Sequence, residues 1–181
     1  RREQAELARQ YGIEGFCYWH YWFGNGRQLL QRPFQEVLAS GEPDFPFCLA
    51  WANHSWEDKQ FNKEGGNKML MEQLYPGDED YIAHFNAVLP AFKDPRYIRV
   101  NGEPLFMIYA PMKVPDIAHF IELWQKLAEP HGFRIHFVGH TSKTEELPLF
   151  RQWGFNATNL VRLFDVCLLY TSDAADERSS V

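Results

Sequence analysis

"FCLAWANHSW", residues 47–56, changes character half-way along. Its first four residues are apolar in a row, as in a strand covered on both faces. Its second half brings Trp51, Asn53, His54, Ser55 and Trp56, which are rings and neutral hydrogen-bonding groups without a charge. A buried strand that ends in such a cluster suits a parallel sheet, where ligands meet the carboxyl ends of the strands.

The flanking sequence repeats that unit. Apolar, β-rich runs at residues 13–19, 45–51, 105–109, 135–138 and 155–159 read as strands. Helical spacing or helix signals mark residues 1–11, 28–39, 78–92, 115–128 and 144–153, the last despite Pro148. Strand and helix therefore alternate, which implies parallel strands joined by helical crossovers. A doubly wound sheet and a (β/α)8 barrel both fit this order. No GxGxxG follows the first strand and no Walker motif occurs, so a nucleotide-binding sheet loses weight. The expected fold class is α/β, a partial (β/α)8 TIM-type barrel. A full barrel takes about 250 residues, so this chain holds about four to five βα units.

The chain has 181 residues and begins without Met, in mid-pattern, so a piece of a longer protein is expected. Net charge is -6 with scattered Lys and Arg, which argues against nucleic-acid binding. No apolar run approaches the roughly 20 residues of a membrane helix. No signal peptide is visible, and a cytoplasmic location is expected. Cys17, Cys48 and Cys167 form no CxxC pair, and Cys17 and Cys48 read as buried free thiols. Alternation puts Cys17 and Tyr18 on opposite faces of the first strand. The final stretch, "CLLYTSDAADERSSV", abandons the pattern, and residues 167–177 match the translation of a transposon-type sequencing adapter. The expected division is a barrel domain over residues 1–166 and a non-native, poorly packed tail over residues 167–181.

Aromatic residues make up 16% of the chain, and many gather at expected strand ends. Residues 18–23 follow the first strand, the 51–56 cluster the second, Tyr109 the third and His140 the fourth. Such a mixture suits a glycan: rings stack on the C–H face of a sugar, and Asn and His bond its hydroxyls. A phosphate would call for Lys, Arg or helix N-termini. His20 and His54 are candidate metal ligands by residue type, but neither belongs to an HxH or HxxxH pair, so no metal and no cofactor is expected. Glycoside cleavage needs two carboxyl groups. Glu14, Glu57, Asp58, Glu72 and the run Asp78, Glu79, Asp80 supply no convincing pair, the run reading as a solvated helix start.

Residues 6–56, "ELARQYGIEGFCYWHYWFGNGRQLLQRPFQEVLASGEPDFPFCLAWANHSW", resemble the WbsX-type, endo-α-mannosidase-like glycoside hydrolase proteins. So do "EQLYPGDEDYIAHF" and "FKDPRYIRVNGEPLFMIYAP" at residues 72–85 and 92–111. The resemblance implies a (β/α)8 barrel and an enzyme of polysaccharide or lipopolysaccharide metabolism, a glycoside hydrolase or glycosyltransferase. Carried over by position, it implies Tyr18, His20, Trp51, Asn53, His54, Trp56 and Tyr109 as glycan-binding residues. Relatives carry an Asn-Glu-Trp-x-Glu-Gly block that would hold the catalytic acids, and this chain has none; Glu145-Glu146 lacks the spacing and the Trp. Many relatives also read Trp-Ala-Asn-Glu-Asn-Trp where this chain has His54 and Ser55 in the middle. The catalytic residues thus stay unassigned. Two other functions remain open: a glycan-binding module without hydrolysis, and a metal-dependent hydrolase or deacetylase using His20, His54 and an acid.

Overall fold

The computed structural model describes residues 1–58 and 68–161. The expected tail over residues 167–181 and the domain edge at residue 166 lie outside them. In chain order the elements are α1 (Arg2–Gln10), β1 (Phe16–Trp22), β2 (Gln28–Leu29), α2 (Arg32–Ser40) and β3 (Phe47–Trp51). A hairpin of β4 (Trp56–Asp58) and β5 (Lys68–Met71) follows, then α3 (Asp78–Phe92), β6 (Arg99–Val100) and β7 (Glu103–Ile108). The series ends with α4 (Ile117–Ala128), β8 (His136–Thr141), α5 (Leu147–Gln152) and β9 (Ala157–Leu160). None of the described helices is long and apolar enough to cross a membrane.

Strand order decides between the two candidate architectures. The parallel strands lie side by side in the order β1-β3-β7-β8-β9, without a reversal. A doubly wound sheet reverses direction and carries helices on both faces. Here every step goes the same way, and right-handed crossovers then place each helix on the same side. Ring contacts confirm the placement: Phe34 of α2 meets Phe47, His84 of α3 meets Phe106, and Trp124 of α4 meets Phe106 and Phe137. The fold is a partial (β/α)8 barrel of five parallel strands.

Register sorts the side chains into two sets. Tyr18↔Leu49 and His20↔Trp51 continue through Phe106, Ile108 and Phe137 on the helix-covered face. That face builds the core, with Trp51, Phe106, Phe120, Trp124 and Phe137 at 1% exposure or less. The other face carries Cys17, Trp19 and Tyr21 of β1, Cys48 and Ala50 of β3, then Leu105, Met107, His136, Val138, His140 and Asn159. None of the described helices covers it, and in a closed barrel it would be the lumen.

Three element boundaries depart from the sequence pattern, each for a local reason. Strand β1 begins at Phe16 because Ile13 finishes α1: Gly12 takes φ +74° and the Ile13 amide returns to Ala8 O at 2.9 Å. The helix expected from residue 28 starts at Arg32. Gly24, Asn25 and Gly26 all take positive φ and fold Gln28–Leu29 back against Tyr21 and Trp22. Pro148 sits in the first turn of α5, where a missing amide costs no helical bond. Residues 144–146 ahead of it form one 3-10 turn. Gly139 of β8 lets the sheet and α5 touch, since a Cβ there would meet the Phe150 ring at 2.5 Å.

Candidate functional site

The expected site residues divide between the two faces of the sheet. Tyr18, His20 and Trp51 point into the helix-covered core. Tyr18 is half-buried against Phe34 and Phe47, at ring distances of 5.8 and 6.1 Å, and burial raises its phenol pKa. Trp51 is 1% exposed; its indole N–H donates to Trp22 O at 2.9 Å and its ring stacks on Phe120. The cause is parity. Trp51 pairs in register with His20 and Ile108, and all three side chains project to the same side.

His20 ends in a buried imidazole pair. Its Nε2 lies 2.9 Å from Nε2 of His84 on α3, and the rings stack 5.0 Å apart. One ring donates and the other accepts. Burial pushes the His20 pKa down to about 4 and His84 well below its ordinary value. His84 is further enclosed by the rings of Trp22, Trp51 and Trp124. Among the described residues, no three His, Cys, Asp or Glu side chains come together as a metal ion would require.

Asn53 is fully buried and acts as a brace. Its Nδ2 donates to Ala110 O at 2.8 Å, its Oδ1 accepts from the Ala110 amide at 2.7 Å, and Tyr75 Oη accepts a further bond at 3.1 Å. The two-way amide bridge fixes the end of β3 to the end of β7. It thereby sets the position of Tyr109, one residue before the bridged backbone.

At the rim of the uncovered face the structure brings His54 and Tyr109 together, with ring centroids 5.2 Å apart. Trp56 stands beside them on β4, its ring edge-on to Tyr21 at 5.2 Å and to Phe23 at 5.3 Å. Three residues outside the expected set complete the row. Trp19 is 49% exposed and meets Tyr109 at 5.5 Å; His140 stacks on the other side of Tyr109 at 4.8 Å; Asn159 Nδ2 donates to His140 Nδ1 at 3.2 Å. Partial burial lowers the His140 pKa, so at neutral pH the ring is uncharged and its Nε2–H is left as a donor. The signal for Trp19 was its parity: residues 17, 19 and 21 share the uncovered face, whereas 18, 20 and 22 share the core.

The carboxylates take other places. Glu14 and Glu72 are exposed, outside the parallel strands. Asp80, expected in a solvated helix start, is 8% exposed; it accepts the Trp22 indole N–H at 2.9 Å and the Gly26 amide at 3.3 Å. On the uncovered face of the parallel strands, Glu103 is the carboxylate, and it opens β7, at the opposite end from the rim. The row at the rim can therefore stack, donate and accept, but its positions on the parallel strands carry no acid.

A family model described as glycosyltransferase WbsX matches residues 1–174. Two curated relatives, each an uncharacterized protein WxcX from a strain of Xanthomonas campestris pv. campestris, are 33% identical over 158 residues. The match covers 86% of this chain and 22% of each relative, so the chain spans about a fifth of their length. Among solved structures, the GH99 endo-alpha-mannosidase from Bacteroides thetaiotaomicron superposes with a TM-score of 0.56 at 14% identity, over 88% of this chain and 42% of that one. That likeness speaks for the fold. The chain, matched along nearly its whole length, belongs to the WbsX glycosyltransferase family.

Proposed function

We propose that this chain forms one wall of the glycan site of a carbohydrate-active enzyme, a glycoside hydrolase or glycosyltransferase acting on surface polysaccharide or lipopolysaccharide. The observation that carries this is the row Trp19, Tyr109, His140 and Asn159 along the carboxyl ends of the strands, with His54 against it. Trp19 and Tyr109 offer flat apolar surface to the C–H face of a sugar ring. His140 Nε2–H and the Asn159 amide meet its hydroxyls as neutral partners. Trp56 on β4 flanks the row. Tyr18, His20, Trp51 and Asn53 shape this wall from behind, as core and brace. The family supports carbohydrate chemistry, and the barrel likeness supports a site at this end of the strands.

The chain's part in the reaction is to bind and orient. The parallel-strand positions of the rim hold no carboxylate, while glycoside cleavage needs two across the scissile bond. The same vacancy of acids favours a second function, glycan binding without cleavage.

Titration of this chain with oligosaccharides released from bacterial lipopolysaccharide, including α-mannose-containing ones, tests the site. Trp19→Ala and Tyr109→Ala are expected to weaken binding about tenfold each, the worth of ~1.5 kcal/mol of ring stacking. Affinity unchanged in both variants, with the fold intact by circular dichroism, overturns the assignment. Reducing-end release or sugar transfer by a full-length Xanthomonas relative separates enzyme from binder.

A further inference from the structure

Cys17 and Cys48, 31 positions apart in the chain, are direct register partners on the parallel strands β1 and β3. Paired strands run about 4.8 Å apart, inside the Cα separation of about 4.4–6.8 Å that a disulfide spans. Register partners project to the same side, here the uncovered face. The two thiols lie close enough to shift each other's acidity in opposite directions. Their surroundings differ: Cys17 is exposed, and Cys48 is 6% exposed. The structure thus departs from two separate buried thiols.

We propose that Cys17 and Cys48 form a redox-sensitive cross-strand thiol pair, with Cys17 the attacking and Cys48 the resolving thiol, whose reaction partner is a small disulfide of the glutathione type. The asymmetry follows from their unequal exposure. Hydrogen bonding from Cys48 lowers the Cys17 pKa, while the same bond, then burial, raises that of Cys48. The exposed sulfur is the better thiolate and the accessible one. In the first step the Cys17 thiolate attacks one sulfur of the small disulfide; a mixed disulfide forms and the other half leaves as a thiolate. Cys48 then gives its proton to solvent and attacks the Cys17 sulfur. The Cys17–Cys48 bond forms and the second small thiol leaves. Two protein thiols are oxidised and one small disulfide is reduced to two thiols. The new bond joins β1 to β3 one row below Trp19 and Ala50, so oxidation stiffens the floor beneath the aromatic row.

The test uses the full chain with Cys167→Ser, so that this pair alone can react. Oxidised glutathione is added, free thiols are alkylated, and peptides are mapped by mass spectrometry. The expected product is an intramolecular Cys17–Cys48 link without retained glutathione. Cys48→Ala is expected to stop at the mixed disulfide on Cys17. Cys17→Ala is expected to react at least about tenfold more slowly, its remaining thiol being buried and protonated. That difference should vanish in guanidinium, which exposes both sulfurs alike. No Cys17–Cys48 link under excess oxidant, or equal glutathione uptake by the two alanine variants in the folded state, overturns the proposal.

Discussion

Asn53 is a single amide on which two strand ends depend. Its side chain is fully buried and satisfies both polar groups of the half-buried Ala110 backbone. Removing it leaves the N–H and C=O of half-buried Ala110 without their partner. Asn53→Ala is therefore expected to lower unfolding free energy by about 2–3 kcal/mol, measured by urea denaturation. Faster hydrogen exchange at the Ala110 amide should accompany the loss. The His20–His84 pair makes a second statement at this scale. Both imidazoles are held neutral, so the unfolded chain binds protons that the folded chain refuses. The associated stability is complete above the unfolded histidine pKa of about 6.5 and declines as pH falls towards 4, by up to ~1.4 kcal/mol per pH unit for each ring. His84→Phe keeps a flat ring among the three tryptophans and removes one titrating group. Its stability profile between pH 6.5 and 4 should be shallower than that of the parent chain; an identical slope would exclude the pair as its source. His20 and Asn53 have the chemistry of sugar ligands when read by type alone. Both lie at a strand end, but residue type does not tell which face a side chain takes; a period of two along the strand does. Trp19 was displaced from the expected site for the same reason, as its parity partner Cys17 had already been placed opposite Tyr18.

Elements were more legible than faces. Among the described residues, apolar runs located the five parallel strands, and helical spacing or helix signals the five α-helices; a strand covered on one side by helices and destined for a barrel interior on the other must be apolar throughout. What escaped were short pairings of two to four residues: β2, β6 and the β4–β5 hairpin. Their pairing depends on turn geometry, as at Gly24-Asn25-Gly26, and they bury too little to print a pattern. The contact of β8 with α5 shows how tightly the legible elements fit. A methyl group added at Gly139 would lie 2.5 and 2.7 Å from two carbons of Phe150, a ring that is itself fully buried. Gly139→Ala is expected to cost about 1–3 kcal/mol by overpacking. Phe150→Leu in the same chain should recover part of that loss, since a smaller side chain makes room, although it is destabilising alone. Measured by a double-mutant cycle, the coupling should be favourable; simple additivity would show that α5 does not bear on β8 in solution.

At the scale of the molecule, the described sheet has two free margins. Strand β1 is paired beyond Tyr21 by β2, but its first residues have β3 on one side and no strand on the other. The Phe16 amide bonds to Pro46 and the His20 carbonyl to Ala52, so Cys17 and Trp19 present their backbone groups outward. Beside that margin runs an apolar groove of about 670 Å³ that includes Leu7, Tyr11 and Ile13, which are 56%, 78% and 50% exposed. An open strand edge next to exposed apolar side chains is a template for pairing with another chain. The described sheet alone therefore predisposes this polypeptide to associate. Sedimentation velocity should reveal species larger than a monomer whose share grows with concentration. Replacing Leu7 and Ile13 with Lys places charge along the groove without entering the core, and should shift the distribution towards monomer. The β1 edge rather than the β9 edge governs association if the shift is large, because the two substitutions lie beside β1 alone. A cooperative melt that is monomeric and independent of concentration in the parent chain would mean that the edges are protected by residues beyond the described ones.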